Sequence, residues 1–399
     1  MDYKKILHDL FKAYYDARRH KRSSMSALAF EIKYESKLFQ LGQEIINEAY
    51  VIGRSICFIC FKPLKREIFA ADFRDRIIHH LIYNYINPIF EPLFINDSYS
   101  CRVGKGTSYG IKRLSHFIRL YSKNYTKECY ILKLDIQGYF MFIDKNILYK
   151  KIENKINRIN RNNIVDQIWL LNIIHKVIFH DPTKNCIIKG KKEDWNGLPK
   201  SKSLFGAESG RGLPIGNLTS QLFGNIYLNE FDHFIKCTLK CEYYGRYVDD
   251  MVIVHNDKEY LKSIIPIIRQ YLHDELNLTL HPKKIYLQHY AKGVSFLGAV
   301  LKPYRMYIRN GTKGNFYSKI CHWNHLLMAE GDVGFLEKYG GEFVASMNSY
   351  LGCLGQYNTY KLRRKMLTEY LFVGFKKLIH CDTDFRKITL IKCDIIKGK

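Results

Sequence analysis

The run Tyr243-Tyr-Gly-Arg-Tyr-Val-Asp-Asp-Met-Val-Ile-Val254 sets two adjacent carboxylates between apolar stretches. Its β-branched and aromatic flanks favour strands, so the segment is expected to form a β-hairpin with Asp249 and Asp250 at the turn. Two like charges at one tight turn repel each other, and a bound cation would offset that cost. A solvated Asp-Asp hairpin tip is the plain alternative.

A third carboxylate stands upstream in a matching setting. Asp135 ends the strand-like run Tyr130-Ile-Leu-Lys-Leu-Asp135 and is followed by Ile136-Gln-Gly-Tyr-Phe140. Asp135, Asp249 and Asp250 together offer hard oxygen ligands for two Mg²⁺ ions, the set that in-line phosphoryl transfer requires. Asp135 as a simple helix cap is the competing reading.

The bulk properties point the same way. Sixty-three Lys and Arg against 38 Asp and Glu leave a formal charge of +25 over 399 residues. Such a balance suits a polyanionic partner, because Lys and Arg neutralise phosphates without regard to sequence. Thirty tyrosines and 24 phenylalanines add faces for base stacking, although most belong in a core. Eleven cysteines in a chain this long do not make a disulfide scaffold. Cys57-Phe-Ile-Cys60 lacks a second pair at metal spacing and is expected to fill a strand with reduced thiols. No 18-residue uncharged apolar run occurs, and Met1-Asp-Tyr-Lys-Lys lacks the apolar core of a signal peptide, so a cytoplasmic protein is expected.

Residues 1–50 are expected to be helical, with Arg18-Arg-His-Lys-Arg22 as a basic, RNA-contacting break between two helices. Strands are expected over 51–66 and around 98–103. Phe73, Ile77, Leu81 and Tyr85 fall on one helical face and predict a helix over 73–88. A helix pair is expected between Asp144 and Ile178, and Leu218, Leu222 and Ile226 suggest another. Thirteen Lys and Arg against five Asp and Glu between Lys145 and Lys202 make a basic face that a template can use. Past about residue 311 the pattern is helical, with breaks at Gly340-Gly341 and Gly352/Gly355. From Lys361 onward, eleven Lys and Arg against four Asp and Glu suit a surface that tracks a nucleic-acid duplex.

Seven short segments, in order, resemble the motifs of reverse transcriptases. Lys65-Arg-Glu-Ile-Phe-Ala-Ala-Asp-Phe-Arg-Asp-Arg76 and Tyr99-Ser-Cys-Arg-Val-Gly-Lys-Gly106 are similar to the two fingers motifs. Leu134-Asp-Ile-Gln-Gly-Tyr-Phe140, Gly212-Leu-Pro-Ile-Gly-Asn-Leu-Thr-Ser-Gln221 and Tyr247–Asp250 resemble the palm motifs. His281-Pro-Lys-Lys284 and Phe296-Leu-Gly298 resemble the motifs that close the palm and grip the primer. The resemblance implies an α+β right-hand polymerase. Residues 1–50 would form an N-terminal helical extension and 51–130 the fingers, with 145–211 partly a fingers or palm insertion. The palm would span 131–310 as an antiparallel sheet with packed helices, and a helical thumb 311–399.

The resemblance also implies roles. Asp135 and Asp249 would bridge two Mg²⁺ ions, with the Ile136 carbonyl as a further ligand and Asp250 supporting them more loosely. Lys284, or Lys283 in its place, would protonate pyrophosphate. Arg66 and Arg74 are candidates to hold the triphosphate, the register through Ala70-Ala-Asp-Phe73 leaving both open. Gln137, Gly138, Tyr139, Phe140, Ile215 and Gly216 would line the dNTP site, with Phe140 as the ring that excludes a 2′-hydroxyl and a plain core Phe as its alternative. Arg102, Lys105, Gln221, Tyr247, Leu297 and Gly298 would meet nucleic acid, with exposed loop charge as the alternative for Arg102 and Lys105.

Ile215 stands where most relatives carry Gln, and Gln221 where they carry Pro. With Gly197-Leu-Pro-Lys-Ser-Lys-Ser-Leu-Phe205, this makes the chain most similar to reverse transcriptases of diversity-generating retroelements, which miscopy template adenines. That subtype implies a structured template RNA and a small basic accessory variability protein that assembles as a barrel-like oligomer. The alternatives are a phage-defence, retron or group II intron enzyme of ordinary fidelity, and an idle RNA-binding scaffold. Loss of a carboxylate would mark the scaffold, and all three are present.

Overall fold

The computed structural model describes residues 3–19, 21, 24–61, 64–158 and 167–391. It divides into two compact units, Met1–Leu287 and Gln288–Lys399. The first opens with three helices rather than the expected two: α1 (Tyr3–Arg18), α2 (Met25–Glu31) and α3 (Tyr34–Ile46). Arg18 sits on α1 and pairs with Glu31 on α2, which ties the first two helices together. His20 and Arg22 of the basic break lie outside the described residues.

Strands β1 (Ile56–Cys60) and β2 (Arg66–Ala70) form an antiparallel hairpin, and Cys57 fills the buried side of β1 as its position predicts. Helix α4 (Phe73–Phe90) follows, capped by the Asp72 carboxylate, which accepts from the Arg74 amide. Phe73, Ile77 and Leu81 are buried along its face, and a shared core joins them to α1 and α3. Residues 98–103 form turns rather than the expected strand. Only Ser98 bridges, in parallel, to Arg246. The reason is Arg102, whose guanidinium donates to the Ile95 and Ser98 carbonyls and curls the chain around itself.

Next come α5 (Thr107–Tyr121), β3 (Tyr130–Asp135), the single turn α6 (Tyr139–Phe142), and the helix pair α7 (Lys145–Asn157) and α8 (Gln167–Phe179). Strand β4 (Ile187–Ile188) pairs in parallel with β1. Helices α9 (Leu218–Tyr227) and α10 (Asn229–His233) lead into β5 (Tyr243–Tyr247) and β6 (Asp250–His255), then α11 (Lys258–Leu276) and β7 (Tyr286–His289), in which the chain passes to the second unit. The central sheet has strand order β5-β6-β3-β7. Leu132 and Leu134 from β3, Ile253 from β6 and Phe223 and Ile226 from α9 share one buried core with α7 and α11. The first unit is thus a mixed helix and antiparallel-sheet fold.

The second unit starts with the three-stranded meander β8 (Val294–Phe296), β9 (Ala299–Lys302) and β10 (Arg305–Ile308). Helix α12 (Asn310–Gly355) runs through Gly340-Gly341 and Gly352; the break falls instead at Gly331, whose φ of 68° leaves the helical region. Trp323, Phe335, Phe343 and Phe375 hold the two arms on one apolar core, which packing sets and glycine spacing does not reveal. After α13 (Tyr360–Lys365) the tail forms a hairpin of β11 (Ile379–Cys381) and β12 (Ile388–Leu390) where helix is expected. Among the described residues no helix is long and apolar enough to cross a membrane.

Candidate active site

Antiparallel pairing of β3 with β6 sets Asp135 directly opposite Asp250, which in turn faces Tyr247 across the β5–β6 hairpin. Asp249 stands at the hairpin turn beside both. The turn is strained: Val248, a β-branched residue, has φ 57°. Non-glycine residues rarely adopt that region, and β-branched ones least of all.

A buried ion pair holds the turn in place. Arg246 and Asp232 are both fully buried, and two parallel bonds of 2.7 and 2.6 Å join them. The Arg246 Nη1 then donates to the Val248 carbonyl at 2.9 Å, and Tyr244 Oη donates to Asp232 at 2.7 Å. Neither Asp232 nor Arg246 is among the residues that sequence reasoning singles out. The available signal was the period of two on β5, which puts Arg246 in phase with the inward-facing Tyr244.

Burial, then the Asp135 and Asp250 carboxylates, push Asp249 up to about 6, with Lys284 opposing. Burial also raises Asp250, while Lys133 draws it down. Lys284 reaches the site because its segment is tied to the Asp135 strand end: the Gln137 amide donates to the Thr279 carbonyl and the His281 amide to the Asp135 carbonyl. Its ammonium lies 2.9 Å from both Asp135 oxygens.

The residue types suit a hard divalent cation: Asp135 and Asp250 face each other across the β3–β6 pair, and Asp249 feels both charges, with Lys284 opposing them. Among the described residues no three His, Cys, Asp or Glu side chains are close enough to share one ion. Lys284 is the cation that Asp135 meets in this arrangement.

β2 joins the loop before α9. The Phe69 amide donates to the Ile215 carbonyl at 2.8 Å, and the Ala71 amide to the buried Asn217 side chain at 3.2 Å. Asn217 is a third residue that sequence reasoning does not single out. Gly216 has φ 128°, and a Cβ there would meet the Phe69 carbonyl at 2.8 Å. Phe140 and Ile215 pack, partly buried, against one cluster of Cys57, Phe69, Met141 and Leu204. Gly138 adopts a left-handed φ of 56° at the start of α6. Arg66 is exposed on β2, near enough to Tyr247 to oppose the upward push that burial gives its phenol. Gln221 is exposed on α9.

Three expected contacts turn inward. Arg74 is engaged by Glu44, by the Val51 carbonyl at 3.1 Å and by the Tyr50 ring, so it anchors α4 to the N-terminal helices. Arg102 has a side chain only 6% exposed and is spent on Glu91 and two carbonyls. Tyr139 is buried, and its hydroxyl bonds the Gly224 carbonyl of α9. Lys105 is bound to Asn96 in an exposed loop. Leu297 and Gly298, at φ 49° and 88°, form the two-residue β8–β9 turn of the second unit.

The family model described as reverse transcriptase (RNA-dependent DNA polymerase) matches residues 65–301. Protein YkfC of Escherichia coli (strain K12) is 25% identical over 257 residues, which are 56% of this chain and 60% of that protein. A putative COX1/OXI3 intron 2 protein of Saccharomyces cerevisiae is 27% identical over 249 residues, 52% of this chain and 28% of that one. The chain therefore spans less than two thirds of the length of either relative. Among solved structures, apo telomerase from Candida tropicalis, truncated from its C-terminal domain, aligns at a TM-score of 0.45 and 14% identity, covering 69% of this chain and 60% of that one. Telomerase from Candida albicans with a fragment of telomeric RNA aligns at 0.45 and 12%, covering 88% and 65%.

Proposed function

Because the chain belongs to the reverse transcriptase (RNA-dependent DNA polymerase) family, we propose that it copies an RNA template into DNA by phosphoryl transfer. The observation that carries this reading is the convergence of Asp135, Asp249 and Asp250 at paired strand ends, with Lys284 set against them. Asp135, Asp249 and Asp250, with the Ile136 carbonyl, would hold two Mg²⁺ ions, which when bound stabilise charge on phosphate oxygens and activate a 3′-hydroxyl. Members of this family generally use divalent metal ions.

The chain's own groups do the rest. Arg246 holds the Asp249 turn through the Val248 carbonyl. Lys284, with half of its side chain exposed, is the cation at hand to give a proton to a departing pyrophosphate once it leaves Asp135. Arg66 faces the triphosphate, and Phe140 bars a 2′-hydroxyl beside Ile215. The template RNA and its cDNA duplex draw on the +25 charge. The test is Mg²⁺-dependent dNTP incorporation on an RNA template, lost in Asp249→Ala; retained synthesis in that variant overturns the reading.

The finer reading is an error-prone enzyme of a diversity-generating retroelement, working with an accessory variability protein. The run Gly212–Gln221 supports it, with Ile215 where a hydrogen-bonding Gln would otherwise align the nucleotide. Losing one positioned hydrogen bond is worth about 1 kcal/mol, enough for several-fold relaxed selection. Sequencing cDNA made on the element's own RNA, scored by template base, tests it. Errors concentrated at adenines support the subtype, and Ile215→Gln should then lower misincorporation. Even, faithful copying supports instead an intron-like enzyme of ordinary fidelity, the reading favoured by the match to the yeast intron protein.

A further inference from the structure

Glu67 is a carboxylate 1% exposed on the inner side of β2, and no role above uses it. Its three partners are neutral and come from one distant loop. Trp195 Nε1 and Ser203 Oγ each donate to Oε2 at 2.7 Å, and the Leu204 amide donates to Oε1 at 2.6 Å. A buried carboxylate is costly to keep without partners, and three converging donors are what make this one tolerable. Lys65, the residue before β2, adds a bond to the Asn196 carbonyl at 2.7 Å. Upstream, the Ile187 amide donates to the Ser55 carbonyl just before β1 and the Lys189 amide to the Cys57 carbonyl within it, both at 2.8 Å. The segment 187–204 is thereby stitched across the whole hairpin.

The far side of the same loop bears on the nucleotide site. The Ser201 carbonyl comes so close to Gly138 that a Cβ there would sit 2.6 Å from it. Leu204 belongs to the apolar cluster against which Phe140, Ile215 and Trp195 all pack. The Phe205 and Phe69 rings lie 5.6 Å apart, and the Phe69 amide bonds the Ile215 carbonyl. Movement of the loop therefore moves the packing partners of both side chains that would judge the incoming sugar and base.

We infer that Glu67 is a positioning residue that holds the 195–205 loop as the outer wall of the nucleotide pocket, and so sets nucleotide affinity and sugar discrimination from outside the pocket. The inference rests on the polymerase reading above. Glu67→Gln keeps the size but replaces one acceptor oxygen with an amide that cannot accept from all three donors. On a poly(rA)–oligo(dT) substrate, that variant should raise KM for dTTP about tenfold and narrow the preference for dTTP over UTP, with kcat nearly unchanged. Ser203→Ala, which removes one donor and keeps the carboxylate, should shift KM in the same direction by less.

Acrylamide quenching of Trp195, isolated by subtracting a Trp195→Phe variant, should show greater access in Glu67→Gln. Unchanged Trp195 access overturns the claim that Glu67 holds the loop. Increased access with unchanged KM and sugar preference overturns the claim that the loop is a wall of the pocket. If the unaltered protein incorporates nothing, the polymerase reading fails and the nucleotide role with it, while Trp195 quenching still decides whether Glu67 holds the loop.

Discussion

Asp232→Ala would leave the Arg246 guanidinium in a fully buried place with its bidentate partner gone. Breaking a buried pair by removing one member costs about 3–5 kcal/mol, because the remaining charge is uncompensated. The surviving bonds of Arg246, to Val248 O at 2.9 Å and to Asn225 and Ser98 at 3.5 and 3.4 Å, are too few and too long to absorb it. For a unit of this size each kcal/mol lowers Tm by roughly 2–4 °C, so the first unit should melt on the order of 10 °C lower. The double variant Asp232→Leu/Arg246→Met removes both charges and should recover most of that stability. It does not recover the bond to the Val248 carbonyl, which helps hold the φ 57° backbone beside Asp249.

Stability and activity should therefore separate. Differential scanning calorimetry and dNTP incorporation on the same samples read the two. The double variant should melt near the parent while its kcat stays at least tenfold down. A single variant that melts like the parent refutes the energetics. A double variant with full kcat refutes the role of Arg246 at the turn.

Asp249→Asn should abolish incorporation yet raise Tm in metal-free buffer, since it removes one of three mutually repelling carboxylates, and Mg²⁺ should then no longer stabilise the protein; a Mg²⁺-dependent rise in its Tm equal to the parent's counts against the site. His79 is buried, bonds Thr219 at 2.8 Å and is held down to about 3 by burial first and Arg76 next. Its folded value lies below its unfolded 6.5, so the stability it contributes is complete above 6.5 and is lost as pH falls toward 3. Urea unfolding at pH 6.5 and 5.0 should differ by about 2 kcal/mol on its account, a difference that His79→Gln reduces and that an unaltered slope would contradict. Gly216→Ala puts a Cβ 2.8 Å from the Phe69 carbonyl at a φ that disfavours it, so KM for dNTP should rise several-fold with a loss of ~1–3 kcal/mol in stability. Equal KM and Tm in that variant would show that β2 and the loop before α9 are not coupled.

Elements whose signal is local were legible in the sequence. The β5–β6 hairpin follows from alternation around Asp249 and Asp250, α4 from the spacing of Phe73, Ile77 and Leu81, and α9 from Leu218, Leu222 and Ile226. Missed boundaries trace to competing contacts. Gly340 and Gly341 read as breaks but lie inside a helix whose apolar face outweighs their low propensity, and Gly331 breaks it where left-handed backbone is needed.

Residue chemistry and short-range period thus determined the β5–β6 hairpin, the main helices and the three carboxylates, because each is written within a few residues of itself. The direction in which a long cation turns is set by partners far along the chain. Arg74 read as a triphosphate ligand and Arg102 as a nucleic-acid contact, yet Glu44, Val51, Glu91 and two carbonyls claim them. Arg246 read as an ordinary strand residue, yet Asp232 and the Val248 carbonyl make it the prop of the turn. Glu67 drew no notice in β2 and meets its donors some 128 to 137 positions later. A buried charge is affordable only where such partners converge, and only the tertiary structure decides where that is.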